Sequence, residues 1–266
     1  MCLIVVAYRA HPHFPLVAVA NRDEFYERPT EAAAFWQDAP EILAGRDHRG
    51  GGTWLGVTRS GRFAAVTNYR QGLEQRADAR SRGGLVSGFL FGDSSAEDYC
   101  AEVAARATDY NGFNLIAGGI DGLGYVSSEA PQARMLADGV YGLSNHLLDT
   151  PWPKVERAKA TVTEILNQEA FTAEQLLGVL ADRKHPEDAQ LPNTGVGLAL
   201  ERKLSPVFID SEDYGTRSST VISMRDDGLV TFMERSFGPE GVDLEARRYS
   251  FRIESDVRLV GLAADQ

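Results

Sequence analysis

A cysteine occupies the second position of this chain and heads an apolar run, Cys2-Leu3-Ile4-Val5-Val6-Ala7-Tyr8. Cysteine is small enough to permit removal of the initiator Met1, so a chain beginning at Cys2 is expected. One residue would then hold both parts of a nucleophilic catalyst. The thiol attacks, and an α-amine with an ordinary pKa of about 7.7–8.0 serves as its base near neutral pH. A cysteine on a buried strand is more often a small apolar filler. Cys2 gains meaning from the polar groups that could meet it.

Four polar clusters stand at the ends of apolar, strand-like segments. Asn21-Arg22-Asp23-Glu24 follows residues 16–20. Thr67-Asn68-Tyr69-Arg70 ends a second segment, and Ser144-Asn145-His146 follows a third that contains Tyr141 and Leu143. Tyr214-Gly215-Thr216-Arg217-Ser218-Ser219-Thr220 opens a fourth. Four polar residues in a row after a strand also fit a solvated loop. If these ends converge on Cys2, the site acquires an Arg and an Asp beside the nucleophile, two Asn donors and a second Arg. His146 would be the histidine nearest that site, although a lone His is more often a structural hydrogen-bonding residue.

The elements that must position these residues alternate in kind. Strands are predicted at 16–20, 53–58 and 62–69, the last two flanking a Ser60-Gly61 turn. A short helical stretch at 85–91 precedes a helix over 96–107 capped by Ser94 or Ser95, with Cys100 on its core face. A hairpin follows over 113–120 and 123–128 around Asp121-Gly122, then short strands at 135–136 and 140–143. Pro151 and Pro153 introduce a helix over 154–169, and Thr172 caps another over 173–181. Residues 182–205 are polar and rich in Pro and Gly, and read as a long loop or lid. A last hairpin at 218–224 and 229–235 precedes a strand at 247–253. This order predicts two antiparallel sheets covered by helices, an α+β fold. Gly50-Gly51-Gly52 lacks the Lys-Ser/Thr ending and the following helix of a phosphate-binding loop.

The net charge of −11, without a basic stripe, argues against a nucleic-acid partner while leaving room for a small anion held by local arginines. No segment reaches the roughly 20 apolar residues of a membrane span, and no secretory signal is visible. Two cysteines form neither a disulfide framework nor a metal-binding pattern, which suggests a reducing, cytoplasmic setting. Nothing in the sequence speaks to oligomeric state.

Cys2 and the Asn21-Arg22-Asp23-Glu24 segment resemble the signature of the NRDE family, also called the transport and Golgi organisation protein 2 family. Gly51-Gly52-Thr53-Trp54-Leu55-Gly56, Thr67-Asn68-Tyr69-Arg70, Gly142-Leu143-Ser144-Asn145 and the 214–220 segment match it in order. The family is in turn similar to N-terminal-nucleophile hydrolases of the choloylglycine hydrolase and penicillin V acylase group. That similarity implies a four-layer αββα sandwich, read here as one domain over 1–266.

The resemblance also implies roles. Cys2 would be the nucleophile, with Arg22 and Asp23 beside it. Asn68 and Tyr69 would contribute to an oxyanion hole, Asn145 would supply a second amide donor, and Arg217 would be the late arginine. Asn21, Glu24, Tyr69 and His146 would contact substrate, and no metal or cofactor is implied. The thiolate would attack an amide or ester carbonyl, with Arg22 lowering the thiol pKa and Arg22 and Arg217 favouring an anionic ligand. The competing reading is a haem- or lipid-binding carrier on the same fold, with haem as cargo and Cys2, His146, His11, His13 or His48 as axial candidates.

Overall fold

The computed structural model describes residues 2–72 and 76–254. Strands β1 (Cys2–Tyr8), β2 (Leu16–Phe25), β3 (Thr30–Phe35), β4 (Ile42–Asp47), β5 (Leu55–Thr58) and β6 (Phe63–Asn68) come first. Helices α1 (Gly83–Phe91) and α2 (Ala96–Ala105) follow, then β7 (Phe113–Gly118), β8 (Leu123–Ser127), β9 (Ala130–Met135) and β10 (Gly139–Leu143). Helices α3 (Pro153–Leu166), α4 (Ala173–Val179) and α5 (Leu198–Lys203) precede β11 (Tyr214–Met224), β12 (Leu229–Phe237) and β13 (Asp243–Arg252).

Two antiparallel sheets result, one ordered β10-β1-β2-β11-β12-β13 and the other β3-β4-β5-β6-β7-β8-β9. Alternation along β1 explains how they stack, because successive side chains point to opposite faces. Ile4, Val6 and Tyr8 meet Leu43, Leu55 and Phe63 of the second sheet. Leu3, Val5 and Ala7 meet Val155, Val162 and Leu176 of α3 and α4. The outer face of the second sheet packs Val66, Phe113 and Leu115 against Leu85, Phe89, Tyr99 and Val103 of α1 and α2. The molecule is a four-layer αββα sandwich with three apolar interlayers, and β1 is buried along its whole length because both its faces are covered.

The helix signals hold. Ser95 accepts the Asp98 N–H at the start of α2, and Thr172 with Gln175 forms a capping box on α4. Cys100 is core, and burial pushes its thiol up to about 12. The expected turns also form, with Gly61 and Gly228 at positive φ in the β5–β6 and β11–β12 hairpins.

Three features differ from expectation. The polar tetrad 21–24 is not a loop: β2 runs through it to Phe25, paired by β1 on one side and β11 on the other. Strands β3 and β4 give no clear sequence signal. Residues 182–205 contain the helix α5 and are not one open loop.

Candidate active site at the Cys2 end of the central strands

Strand register places the central residues. Cys2 pairs with Arg22, and Arg22 with Ser218, so one row crosses β1, β2 and β11 on the face between the sheets. Asn21 and Asp23 alternate to the opposite face, under α3 and α4.

Burial pushes the Cys2 thiol up. A backbone hydrogen bond from Asp23 and the charge of Arg22 pull it down, while the Asp23 carboxylate raises it further. Arg22 does lower the thiol pKa, but desolvation outweighs the guanidinium. Ser144 ties the strand head from the other side, its hydroxyl 3.0 Å from the Cys2 carbonyl and 3.2 Å from Asn145 Oδ1.

Arg22 is buried and donates through Nη2 to Asp47 Oδ2 of β4 at 3.2 Å, an oxygen it shares with Arg28 Nε at 2.6 Å. Asp23 accepts the Thr216 hydroxyl at 2.8 Å, and its backbone carbonyl accepts the Tyr214 hydroxyl at 3.0 Å. Burial pushes the Asp23 carboxyl up, opposed by Lys154, Thr216 and Arg22.

A cleft of about 710 Å³ opens beside this row, lined by Glu24, Asn68, Tyr69, Arg82, Asn145 and Tyr214 among others. Its wall is a seam between the sheets. Thr67 Oγ1 donates to Ser144 O at 2.6 Å, Asn145 Nδ2 to Asn68 O at 3.0 Å, and Arg70 N to Asn145 O at 2.7 Å. One hydrogen of the Asn145 amide is thus committed to fixing Asn68, which leaves the amide's second hydrogen.

Of the ten residues singled out from sequence, Glu24, Asn68, Tyr69 and Asn145 line the cleft, and Cys2, Arg22 and Asp23 lie in the adjoining rows of β1 and β2. Asn21 turns away. Its Nδ2 donates to Leu180 O and Val207 O at 2.9 and 2.8 Å, and its Oδ1 accepts from Ser219. Arg217 sits at the β11 bulge and donates to Phe25 O, Arg28 O and Thr30 Oγ1. With Arg22 it borders a separate cavity of about 140 Å³ that Asp47, Glu31 and Glu234 also line, so the two guanidiniums do not form a purely positive pocket.

His146 stands behind Tyr69, ring centroids 5.0 Å apart, with Nδ1 2.9 Å from the Thr150 hydroxyl. His48 pairs with Glu31 and His13 with Asp226, while His11 stacks on Phe14 and Phe171 near the opposite end of β1 and β2. Of these histidines His146 is the one nearest the cleft, with one ring nitrogen engaged.

Sequence reasoning missed two cations. Arg82 immediately precedes α1, lines the cleft and donates to Gly112 O at 3.1 Å, and its charge registers Cys2 and Glu24. Lys154 lies in the first turn of α3, buried, with Nζ 3.0 Å from Leu204 O. A helix start disfavours a cation, and that mismatch is the signal that could have flagged both. Arg70 and Glu201 form a buried pair at 3.0 Å that ties α5 to the cleft wall.

An αββα sandwich with a cysteine at the head of an inner strand, beside an amide-lined cleft, defines the class. The chain belongs to the Transport and Golgi organisation 2 family, whose model matches residues 1–239. It is 39% identical over 282 residues to the Transport and Golgi organization protein 2 homolog of Bos taurus, covering 96% of this chain and 100% of that protein. It is 27% identical over 285 residues to Transport and Golgi organization protein 2 of Drosophila melanogaster, covering 96% and 98%. A solved N-acylethanolamine-hydrolyzing acid amidase ortholog from Caenorhabditis elegans aligns with a TM-score of 0.47 at 11% identity, over 83% of this chain and 92% of that one. No helix among the described residues is long and apolar enough to cross a membrane.

Proposed function

We propose that this chain is an N-terminal-nucleophile cysteine hydrolase that cleaves an amide or related acyl bond in a small anionic substrate. The observation that carries the reading is the register row Cys2–Arg22–Ser218 beside a cleft bearing Asn68 and Asn145. Removal of Met1 frees the Cys2 α-amine. A buried thiol with a raised pKa needs a base within reach, and this amine belongs to the same residue.

The amine takes the thiol proton and the sulfur attacks the acyl carbon. The carbonyl oxygen becomes an oxyanion that Asn68 and the second Asn145 amide hydrogen stabilise, such a donor being worth about 2.7–4 kcal/mol. Collapse breaks the C–N bond, and the leaving nitrogen receives the proton held by the α-amine. Water, deprotonated by the same amine, then cleaves the thioester and regenerates the thiol.

The anionic character rests on the cleft's cations. Arg49 and Lys203 line it and form no ion pair among the described residues, and the same holds for Arg82. Glu24, Glu27 and Glu129 line the cleft too, but with Arg28 and Arg70 its cations outnumber them, and in a protein of net charge −11 that local excess favours a carboxylate or phosphate on the substrate.

A panel of N-acyl amides and thioesters with anionic and neutral leaving groups tests the reading. Turnover is expected from the wild-type chain, little from Cys2→Ser and none from Cys2→Ala, with stability nearly unchanged. Equal turnover by Cys2→Ala would overturn it. Saturable haem binding with a defined Soret band and no hydrolysis across the panel would transfer the assignment to carriage.

A further inference from the structure

Lys154 is a buried cation that the chemistry above leaves without a task. It is 3% exposed, sits at the positive end of α3, and holds one carbonyl, Leu204 O. Burying an ammonium there costs several kcal/mol unless charge answers it. The groups that face it come from four directions: Asp23 on β2, Arg70 beyond β6, Cys2 on β1 and Glu201 on α5. Asp23 lies on the helix-facing side of β2, the side that α3 covers, and feels Lys154 in return.

The freed α-amine would meet the same carboxylate. Cys2 pairs with Arg22, and the Asp23 backbone N–H bonds the Cys2 sulfur, so the head of β1 lies beside Asp23. Arg22, Arg82, Lys154 and Tyr214 are the other titratable groups around Cys2.

We propose that Lys154 is a positioning residue of the Cys2 site: buried on the α3 side of β2 and beyond ion-pair distance of Asp23, its ammonium acts through space on the carboxylate that the freed Cys2 α-amine would meet, and this keeps the amine neutral and able to accept the thiol proton. Two cations in the field of one carboxylate are each held less tightly than one would be, and a neighbouring cation is an established way to lower the pKa of a catalytic amine. Burial, opposed by Asp23, brings Lys154 down to about 8, so its charge is present at neutral pH. The inference rests on the N-terminal-nucleophile reading.

The test measures the amine directly. In full-length Cys2→Ser chain, shown by intact mass to begin at residue 2, trace acylation of the α-amine is followed from pH 5 to 10 by peptide mass spectrometry. The midpoint should rise by about one pH unit in Lys154→Met and Lys154→Gln, and stay within a few tenths in Lys154→Arg. Gln retains a donor for Leu204 O and serves if Met prevents folding. Unchanged midpoints in the charge-removing variants would overturn the role, and so would an equal rise in Lys154→Arg. Failure here leaves acyl transfer to Cys2 intact in the wild-type chain, whereas failure of the hydrolase reading shows as no acyl-thioester on Cys2 whatever Lys154 does.

Discussion

Glu201→Gln isolates the charge that fastens α5 to the site. Glu201 Oε1 accepts the Thr194 N–H at 2.8 Å and the Thr194 hydroxyl at 2.7 Å, while Oε2 lies 3.0 Å from Arg70 Nη2. Both side chains are below a tenth exposed, at 8% and 4%. Burial pushes the Arg70 guanidinium down against the pull of Glu201. Removing one partner of a buried pair costs about 3–5 kcal/mol. The lower end applies, because the amide keeps an acceptor for Thr194 and the 3.0 Å contact is an ion pair without hydrogen-bond alignment. For a chain of this size about 3 kcal/mol corresponds to a fall in Tm of roughly 6–12 °C. Thermal unfolding followed by circular dichroism reads this directly. The pair Arg70→Met with Glu201→Gln, which removes both charges and keeps the Thr194 acceptor, should recover most of the loss. A Glu201→Gln chain within about 0.5 kcal/mol of wild type would refute the claim that charge holds α5 in place.

Other substitutions separate chemistry from framework. Arg82→Gln should lower the ratio of iodoacetate to iodoacetamide alkylation rates at Cys2 about fivefold, near 1 kcal/mol, the upper end for a part-exposed charge; an unchanged ratio removes Arg82 from anion recognition. Asn21→Leu should cost about 2–3 kcal/mol through the lost bonds to Leu180, Val207 and Ser219 and leave Cys2 alkylation unaltered. Loss of Cys2 reactivity without loss of stability would instead return Asn21 to the site. Burial raises the Glu234 carboxyl although it accepts the Ala33 N–H and the Thr220 hydroxyl. The folded state therefore binds that proton more tightly than the unfolded chain, and stability should fall as pH rises from the ordinary carboxylate range through the raised value. Glu234→Gln should flatten that fall, and a parallel pH–stability curve would contradict the assignment.

Much of the fold was legible because its signals are local. The hairpins at Gly61 and Gly228, the caps at Ser95 and Thr172 and the apolar run of β1 all announce themselves within a few residues. The tetrad 21–24 was misread as a possible loop because its polar side chains are satisfied by residues as distant as Asp47, Leu180 and Thr216. Arg217 illustrates the same limit: its place at a bulge, bound to backbone carbonyls after β2, depends on the register of two strands. Asn68 and Asn145 were found as strand ends, but the bond between them crosses from one sheet to the other. Lys154 and Arg82 were overlooked because a cation at a helix start passes for a surface residue until burial is known.

The most direct measurement is the intact mass of the wild-type protein before and after exposure to an activated acyl amide or thioester at neutral pH. The account predicts a chain beginning at Cys2 that gains one acyl group, labile to hydroxylamine and located on Cys2 by peptide mapping, with no such adduct in a chain whose Met1 is retained. A Met1-retaining chain that turns over as fast as the processed one, or an adduct that persists in Cys2→Ala, would contradict it.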